Sequence, residues 1–402
     1  MKTLIKDATL VLTHGYAENG YVICEDGIIT AVGSGECPKE NKENFDRVIS
    51  AEGNYLAPGF VDIHVHGGVG HEFIDGTEEA FNDILRAHHK GGTTTILPTF
   101  SSAKQETYRK VIPFYNDYKS REDSIEGIPH LAGIHMEGPY FSLAQAGAQI
   151  PGIIRDPLRE EYEEILAMTP HVLRWSVACE LDSALEMGEA LEKRGISVSI
   201  GHSDATTEQA EEAISHGYKS VTHLYSSCSI VHRNAPFREG GLVEAAFLRD
   251  ELDVEIIADG AHLPRELLQL IYKIKGPDKI ALVTDCIRYG GKKYEEGEKV
   301  YDPICDHWLT IERNVAVMPD RSCFAGSLST TSHLVRTMVK LTPAPLYEAV
   351  RMASLVPARM VGMDDRIGSI EVGKQGDFVI LDSDLQVKTV ILDGEVSVIN
   401  QQ

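Results

Sequence analysis

The stretch PGFVDIHVHGG, residues 58–68, decides the fold prediction. A short apolar run leads into His64 and His66 and then into glycines, which is typical of a buried strand with chemistry at its end. Alternate residues of a strand point to the same side, so both imidazoles can reach one bound species. A lone His-x-His is often incidental, and its interpretation therefore depends on what the rest of the chain provides.

The middle of the chain repeats this pattern. Strand-like apolar stretches alternate with amphipathic stretches of helical periodicity, several of which end in Gly as helices do. Eight strands with intervening helices are the count of a barrel, so we predict an α/β fold with a (β/α)8 TIM barrel. The strands predicted after the first are TTTILPTF (93–100), HLAGIHMEG (130–138), LRWSVACE (173–180), SVSIGHSD (197–204), KSVTHLYS (219–226), VEIIADGAH (254–262) and KIALVTDC (279–286).

Both ends of the chain differ from this middle. They consist of short strand-like runs broken by Gly and Asp, with hairpin signals at EDG (25–27) and AEGN (51–54). We predict one small β-sandwich domain assembled from residues 1–57 and 362–402. The catalytic barrel is predicted to span residues 58–361.

Composition narrows the classes of partner. The 402 residues are 43% hydrophobic and 25% charged, which is ordinary for a soluble globular protein. A net charge of −23 argues against nucleic acid and anionic membranes as partners. The net charge does not exclude an anionic small substrate, because a few Arg and His residues in a cleft can outweigh the more distant negative charges. The seven cysteines are scattered without a CxxC pair, and no signal peptide or transmembrane run is recognisable, so we expect a reduced, cytoplasmic chain.

Reacting groups of a barrel lie at the C-terminal ends of its strands, and polar residues stand there in this sequence. Each of them alone has an ordinary explanation as a salt-bridge member, cap or loop residue. Together, in this order, they predict a metal site with a carboxylate beside it. Imidazole and carboxylate ligands suit zinc, iron or other divalent first-row ions. The predicted metal ligands are His64, His66, Glu137, His202 and His223, and Asp285 ends the eighth strand.

Further expectations concern the surroundings of the site. The polar, Gly-rich stretch RYGGKKYEEGEKVYDP (288–303) is predicted to be a mobile loop beside it. His88 and His89 lie in a helical stretch and are expected to be solvated. His135 alternates with Glu137 and is expected to pack inside the barrel.

A set of motifs makes a resemblance specific. HMEGPY, GHSDA, THLYSS, IADGAH, VTDC, FAGS and GKQGDFV follow PGFVDIHVHGG over nearly the whole chain. In this order they resemble the amidohydrolase superfamily, and within it the family of deacetylases that act on N-acetylglucosamine 6-phosphate.

The resemblance implies roles for matching residues. Glu137, His202 and His223 would hold a principal divalent ion, Zn²⁺ or Fe²⁺, and His64 and His66 would hold a second one with Glu137 bridging. Asp285 would act as general base toward water and then as the acid that protonates the leaving amine. The resemblance also implies a homodimer, in which His262 reaches the sugar phosphate across the interface.

Two departures from the family pattern concern residues that would contact the sugar. Gln149 stands where relatives carry a His, and it cannot bring a positive charge. The family's Asn-Ala-Met run after the sixth-strand His is Ser226-Ser227-Cys228 here, with altered spacing to the next arginines. Arg233 and Arg238 are therefore both candidates for the anion site. A galacto isomer or an unphosphorylated N-acyl sugar stays open as substrate.

Two other functions compete with amino-sugar deacetylation. Cyclic-amide hydrolases of this superfamily bridge two metals with a carboxylated Lys from the fourth strand, and LRWSVACE contains no Lys. A non-catalytic binding protein should have lost a ligand or the proton shuttle, and neither is lost. We favour hydrolysis of N-acetylglucosamine 6-phosphate to glucosamine 6-phosphate and acetate.

Overall fold

The computed structural model describes residues 1–37, 44–304 and 306–400. The chain begins with five strands: β1 (Lys2–Leu12), β2 (Gly15–Glu25), β3 (Ile28–Ser34), β4 (Arg47–Ser50) and β5 (Tyr55–Pro58). The EDG turn joins β2 and β3 in an antiparallel hairpin, as predicted. The hairpin predicted at AEGN is wrong, because β4 and β5 both run parallel to β1 along one of its edges.

The barrel occupies the middle of the chain and is built from eight parallel strands, β6, β9, β11, β12, β13, β14, β17 and β18. Short strands and hairpins accompany them. The bounds are β6 (Phe60–Val65), β7 (Gly67–Gly68), β8 (His71–Glu72), β9 (Thr93–Phe100), β10 (His130–Leu131), β11 (Ile134–Glu137), β12 (Val172–Val177), β13 (Ser197–Ile200), β14 (Tyr218–Val221), β15 (His232–Asn234), β16 (Phe237–Glu239), β17 (Asp253–Ile256) and β18 (Ile280–Leu282).

The seam between the first and eighth barrel strands is closed by a few specific hydrogen bonds. The Asp285 amide donates to the His64 carbonyl at 2.9 Å, and the His66 amide donates to the Cys286 carbonyl at 2.9 Å. Below them the Thr284 hydroxyl donates to the buried carboxylate of Asp62 at 2.6 Å. The closure therefore fixes the ends of both strands where the site residues stand.

The helices surround the barrel. They are α1 (Glu78–Lys90), α2 (Gln105–Ser120), α3 (Arg159–Met168), α4 (Ala184–Glu192), α5 (Thr207–Ser215), α6 (Leu242–Leu248), α7 (Arg265–Lys275), α8 (Thr331–Leu341), α9 (Leu346–Ala353) and α10 (Leu355–Met360). Side-chain caps begin α1 and α5: the Thr77 side chain accepts from the Ala80 amide, and Thr206 forms a capping box with Gln209. Among the described residues, no helix combines the length and apolarity needed to cross a bilayer.

The expectation that His88 and His89 are solvated is wrong, since both are buried on the inner face of α1. His88 Nε2 lies 3.0 Å from the Gly67 carbonyl. His89 Nδ1 lies 2.9 Å from the Thr93 carbonyl, and its Nε2 lies 2.8 Å from the Ser397 hydroxyl. Burial lowers the pKa of both imidazoles. These residues join the helix to the barrel and the end sheet as neutral hydrogen-bonding groups.

The stretch predicted to be a mobile loop leads into an antiparallel sheet. This sheet comprises β19 (Lys299–Asp302), β20 (His307–Glu312), β21 (Val315–Val317) and β22 (Phe324–Ser327). It has its own small core, which includes Ile287, Leu309 and Ile311. The Ser327 amide donates to the Asp285 carbonyl at 3.0 Å, so the sheet is anchored directly behind the eighth barrel strand.

The chain ends with β23 (Phe378–Leu381), β24 (Val387–Leu392) and β25 (Glu395–Ile399), which pair with β1–β5 in one eight-stranded sheet of both chain ends. A bridge between Ile28 and Gln375 brings the β3 edge back toward the segment before β23. Apolar side chains from distant strands, such as Val22 and Ile391, therefore share one core. The described cysteines are free thiols, and Cys305 lies outside the described residues.

Candidate active site

Five side chains converge at the C-terminal ends of the barrel strands, and all five are buried. Glu137 lies at the centre. Its Oε1 is 3.2 Å from Nε2 of His202 and 3.2 Å from Nε2 of His223. The same carboxylate is 3.4 Å from Nε2 of both His64 and His66. The structure thus brings together every residue that the sequence predicted as a metal ligand.

Each of the four imidazoles uses Nδ1 for a partner outside the cluster. The partners are the Ser101 hydroxyl for His66 at 2.8 Å, the Gln145 carbonyl for His202 at 2.9 Å, the Ser226 carbonyl for His223 at 3.0 Å and Glu255 for His64 at 3.2 Å. A carbonyl can only accept, so Nδ1 of a neutral His202 or His223 carries the proton and Nε2 turns a lone pair inward.

This arrangement fits divalent cations. Inward lone pairs would repel one another, since Nε2 of His202 and His223 are 3.2 Å apart and those of His64 and His66 are 3.3 Å apart. Two sets of three ligand atoms, each including Glu137, lie within 4.8 Å of one another. Two histidines and a shared carboxylate on either side are a donor set suited to zinc or iron.

The backbone at three of these residues is in the left-handed region. His202 has φ 46°, His223 has φ 30° and Asp285 has φ 45°. L-residues other than Gly adopt such angles at a cost of order 1–3 kcal/mol, and these conformations cluster at functional sites. Each residue follows its strand by two or three positions. The turned backbone aims each side chain back over the barrel mouth.

The electrostatics of the cluster favour a cation. Burial alone raises the pKa of Glu137, but hydrogen bonds from His202 and His223 hold that pKa well below its usual range. Burial alone lowers the pKa of His64, but the carboxylates of Asp285 and Glu137 raise it well above the ordinary value. Burial alone raises the pKa of Asp285, but the positive charge of His64 has the larger opposite effect, so the pKa of Asp285 is lowered overall. The carboxylates stay ionised and positive charge is favoured among the imidazoles.

Asp285 lies at the open side of the cluster. Its Oδ1 is 3.2 Å from Nε2 of His66 and 3.5 Å from Nε2 of His64. Its side chain is 14% exposed, whereas that of His64 is fully buried. An ionised carboxylate beside the ligand atoms and open to the cavity can exchange protons with a molecule bound there.

A cavity of about 310 Å³ opens above the cluster. Its lining includes four residues that the sequence predicted to contact substrate: Gln149, Ser226, Ser227 and His262. Gln149 donates from Nε2 to Glu137 Oε2 at 2.9 Å. His262 lines the cavity of its own chain, and its contact with a substrate phosphate across a dimer interface stays a prediction.

The structure does not bring Arg233 and Arg238 to this cavity. They face each other across the hairpin of β15 and β16, and both are exposed. Neither arginine lines the cavity of its own chain, and their candidacy for the anion site stays a prediction. Neighbouring apolar side chains are exposed as well, with Phe237 at 74% and Ile230 at 52%.

Sequence reasoning missed several residues around the site. Asp259 accepts from His262 Nδ1 at 2.7 Å and fixes that ring, and the 322–326 segment forms one wall of the cavity. Arg174 and Glu255 are buried inside the barrel. A charged residue within an otherwise apolar strand, as in VLRWSV and DVEI, was the signal that could have found the last two.

Comparison with known proteins agrees with this geometry. The profile of the amidohydrolase family matches residues 55–397. An N-acetylglucosamine-6-phosphate deacetylase of Bacillus subtilis is 31% identical, over 99% of this chain and 98% of that protein. An N-acetylgalactosamine-6-phosphate deacetylase of Escherichia coli O157:H7 is 28% identical, over 99% of this chain and 100% of that protein. A mutant N-acetyl-D-glucosamine-6-phosphate deacetylase of Mycobacterium smegmatis, solved in complex with N-acetyl-D-glucosamine-6-phosphate, superposes with a TM-score of 0.87 at 27% identity, covering 99% of each chain.

Proposed function

This chain belongs to the amidohydrolase family, and from that premise we propose that it hydrolyses the acetamide of an N-acetyl amino-sugar phosphate to acetate and a free amine. N-acetylglucosamine 6-phosphate is the proposed substrate and glucosamine 6-phosphate the proposed product. The observation that carries the proposal is the convergence of four imidazoles on Glu137, with Asp285 beside them at the floor of a cavity. Relatives that match nearly all of the chain are named for this reaction.

The proposed cofactor is one or two divalent ions, Zn²⁺ or Fe²⁺. Glu137, His202 and His223 would hold the principal ion, and His64 and His66 would share Glu137 with a second. A divalent cation bound there lowers the pKa of water and polarises a carbonyl. The converging Nε2 atoms and their fixed Nδ1 partners support this assignment.

Asp285 is the proposed proton carrier. As a general base it takes a proton from the water whose oxygen attacks the acetyl carbonyl carbon. It then gives a proton to the sugar nitrogen as the C–N bond breaks, so that acetate and the amine leave. A carboxylate held ionised by neighbouring imidazoles is suited to the first of these roles.

The proposed substrate contacts are Gln149, Ser226, Ser227 and His262, which line the cavity. A galacto isomer is the second candidate substrate. Gln149 supports this second candidate, because a neutral amide at this place can hold a differently oriented hydroxyl. One of the relatives is also named for the galacto compound.

We further propose a homodimer in a cytoplasmic setting. The exposed hairpin of β15 and β16 carries Arg233, Arg238 and Phe237 away from its own cavity. Such a patch of apolar and basic side chains suits contact with a second copy, where an arginine could meet the substrate's phosphate. The free thiols are typical of a reducing compartment.

Acetate release from a panel of four compounds tests the function. The panel comprises N-acetylglucosamine and N-acetylgalactosamine, each with and without a 6-phosphate, given to protein loaded with Zn²⁺ or Fe²⁺. We expect the highest kcat/KM for N-acetylglucosamine 6-phosphate. Inertness on all four compounds would overturn the proposed substrate class.

A further inference from the structure

An ion pair is buried inside the barrel below the histidine cluster. Arg174 Nη2 on β12 lies 2.7 Å from Glu255 Oε1 on β17, and neither side chain is exposed. Arg174 Nη1 also donates to the Ser220 hydroxyl on β14 at 3.3 Å. Burying two charges costs several kcal/mol per ion, and a packed apolar pair would often be as stable. Stability alone therefore does not explain why this ion pair is present.

The second carboxylate oxygen of Glu255 faces the metal-binding cluster. Glu255 Oε2 lies 3.2 Å from Nδ1 of His64 and accepts from the His223 amide at 3.3 Å. His64 is fully buried, and its ring is fixed on another side by His135, whose centroid is 4.6 Å away. Glu255 thus connects Arg174 to the one cluster imidazole that does not line the cavity.

The partner of His64 differs in kind from those of the other three imidazoles. Nδ1 of His66, His202 and His223 meets a hydroxyl or a backbone carbonyl, which are neutral. Only His64, among these four, meets a carboxylate through Nδ1. A carboxylate acceptor fixes the tautomer of an imidazole, raises its basicity as a ligand and adds negative charge near the bound cation.

We propose that Glu255, held in place by Arg174, is a positioning residue that makes the His64 and His66 half of the site able to hold its own divalent cation. Glu255 holds a proton of His64 on Nδ1, so that Nε2, which faces Glu137 and Asp285, is the nitrogen that would bind a cation. Arg174 fixes the carboxylate without itself reaching the cluster. The inference rests on the proposed metal-dependent function, but its test reads metal binding and not turnover.

Zn²⁺ titration of the metal-free full-length protein, followed by elemental analysis, tests the inference. Wild type is expected to bind two ions. Glu255→Gln is expected to keep the ion at Glu137, His202 and His223. Its affinity for the second ion should fall by about 10–100-fold, which is the usual effect of losing such a hydrogen-bond partner. Arg174→Met should change the second affinity in the same direction. Glu161→Gln, the matched control, removes a carboxylate that pairs with Arg155 outside the cluster and should leave both affinities unchanged.

A purely structural role predicts a different result. It would change folding stability without lowering the affinity for one ion relative to the other. A folded Glu255→Gln protein with wild-type affinity for both ions would therefore overturn the inference. A wild type that binds only one Zn²⁺ ion would overturn it as well. If Glu255→Gln does not fold, Glu255→Asp keeps the charge but shortens the reach to His64, and it should still lose second-site affinity selectively. Absence of acetate release with two ions bound would count against the proposed function and not against this inference.

Discussion

The side-chain amide of Gln149 donates a 2.9 Å hydrogen bond to Oε2 of Glu137, the carboxylate that the cluster histidines share. Gln149 also lines the cavity, so one side chain contacts both the proposed metal ligand and the space for the substrate. An amide is neutral at every working pH and has both donor and acceptor atoms. The residue at this place is therefore expected to influence which sugar is accepted.

Gln149→His tests that influence. If Gln149 serves N-acetylglucosamine 6-phosphate, the imidazole should keep or raise kcat/KM, because it can help to polarise the acetyl carbonyl. A wrongly paired buried polar group costs about 1–3 kcal/mol, or roughly 5- to 150-fold in specificity. A drop of that size for the galacto isomer, with the rate on the gluco compound kept, would contradict the proposed substrate. Gln145→His is the matched control, since the Gln145 side chain bonds Asp204 outside the cavity.

Removal of single ligands should show which histidine holds which of the two proposed ions. His202→Ala and His223→Ala are expected to lose the tightly held ion, because each leaves a coordination position that only water can fill. His64→Ala should lose only the second ion. Elemental analysis after chelation and reloading measures both. Equal metal content in the three variants would show that the ligand assignment is wrong.

The barrel and the grouping of the site residues could be predicted from the sequence, because both follow simple periodicities. Apolar strands ending in His or Asp, with amphipathic helices between them, predict the α/β barrel, which the structure confirms. Residues at the ends of parallel strands must meet at one edge, so the grouping of His202 and His223 with Glu137 followed. The domain boundaries at 57/58 and 361/362 and the chemical roles of the site residues stay predictions.

Other features depend on tertiary contacts that no local pattern encodes. The sheet β19–β22 was hidden because its polar, Gly-rich start resembles a loop, although Ile287 and Leu309 give it a core. His88 and His89 follow charged neighbours on α1 but are buried against the barrel and the end sheet. The pairing of Arg174 with Glu255 joins strands four and seven across the barrel interior.

His130 gives the fold a pH-dependent stability away from the site. Burial alone lowers its pKa, but Asp377 and Asp393, whose oxygens lie 3.6 and 3.5 Å from its Nε2, raise that pKa to about 9, with a smaller contribution from Glu122. Its contribution should be fully present below the unfolded value of about 6.5 and should be lost as pH rises through about 9.

Denaturant unfolding of wild type and His130→Gln between pH 6 and 10 measures this contribution. The difference in the free energy of unfolding should be of order 1–3 kcal/mol at pH 6 and should vanish near pH 10. Asp377→Asn should remove most of the pH dependence too. A difference between wild type and His130→Gln that does not change with pH would contradict the assignment.

The proposed homodimer is expected to depend on the β15–β16 hairpin. Sedimentation analysis should give twice the chain mass for wild type and a smaller mass for Phe237→Asp, since Phe237 is 74% exposed in the single chain. Arg238→Gln should raise KM for the phosphorylated sugar more than for the unphosphorylated one. A fully active monomer at working concentration would contradict both expectations.

We propose that this cluster hydrolyses an amide with Asp285 as the proton carrier. The most direct test is steady-state release of acetate and amine from N-acetylglucosamine 6-phosphate by metal-loaded wild type and Asp285→Asn, with metal content measured on the same samples. Asn is nearly isosteric but cannot take a proton from water, and general acid–base help contributes about 10²–10⁴-fold. We predict equal amounts of acetate and amine from wild type, and a loss of at least about 10²-fold in Asp285→Asn at unchanged metal content. Turnover by Asp285→Asn within about tenfold of wild type would contradict the claim.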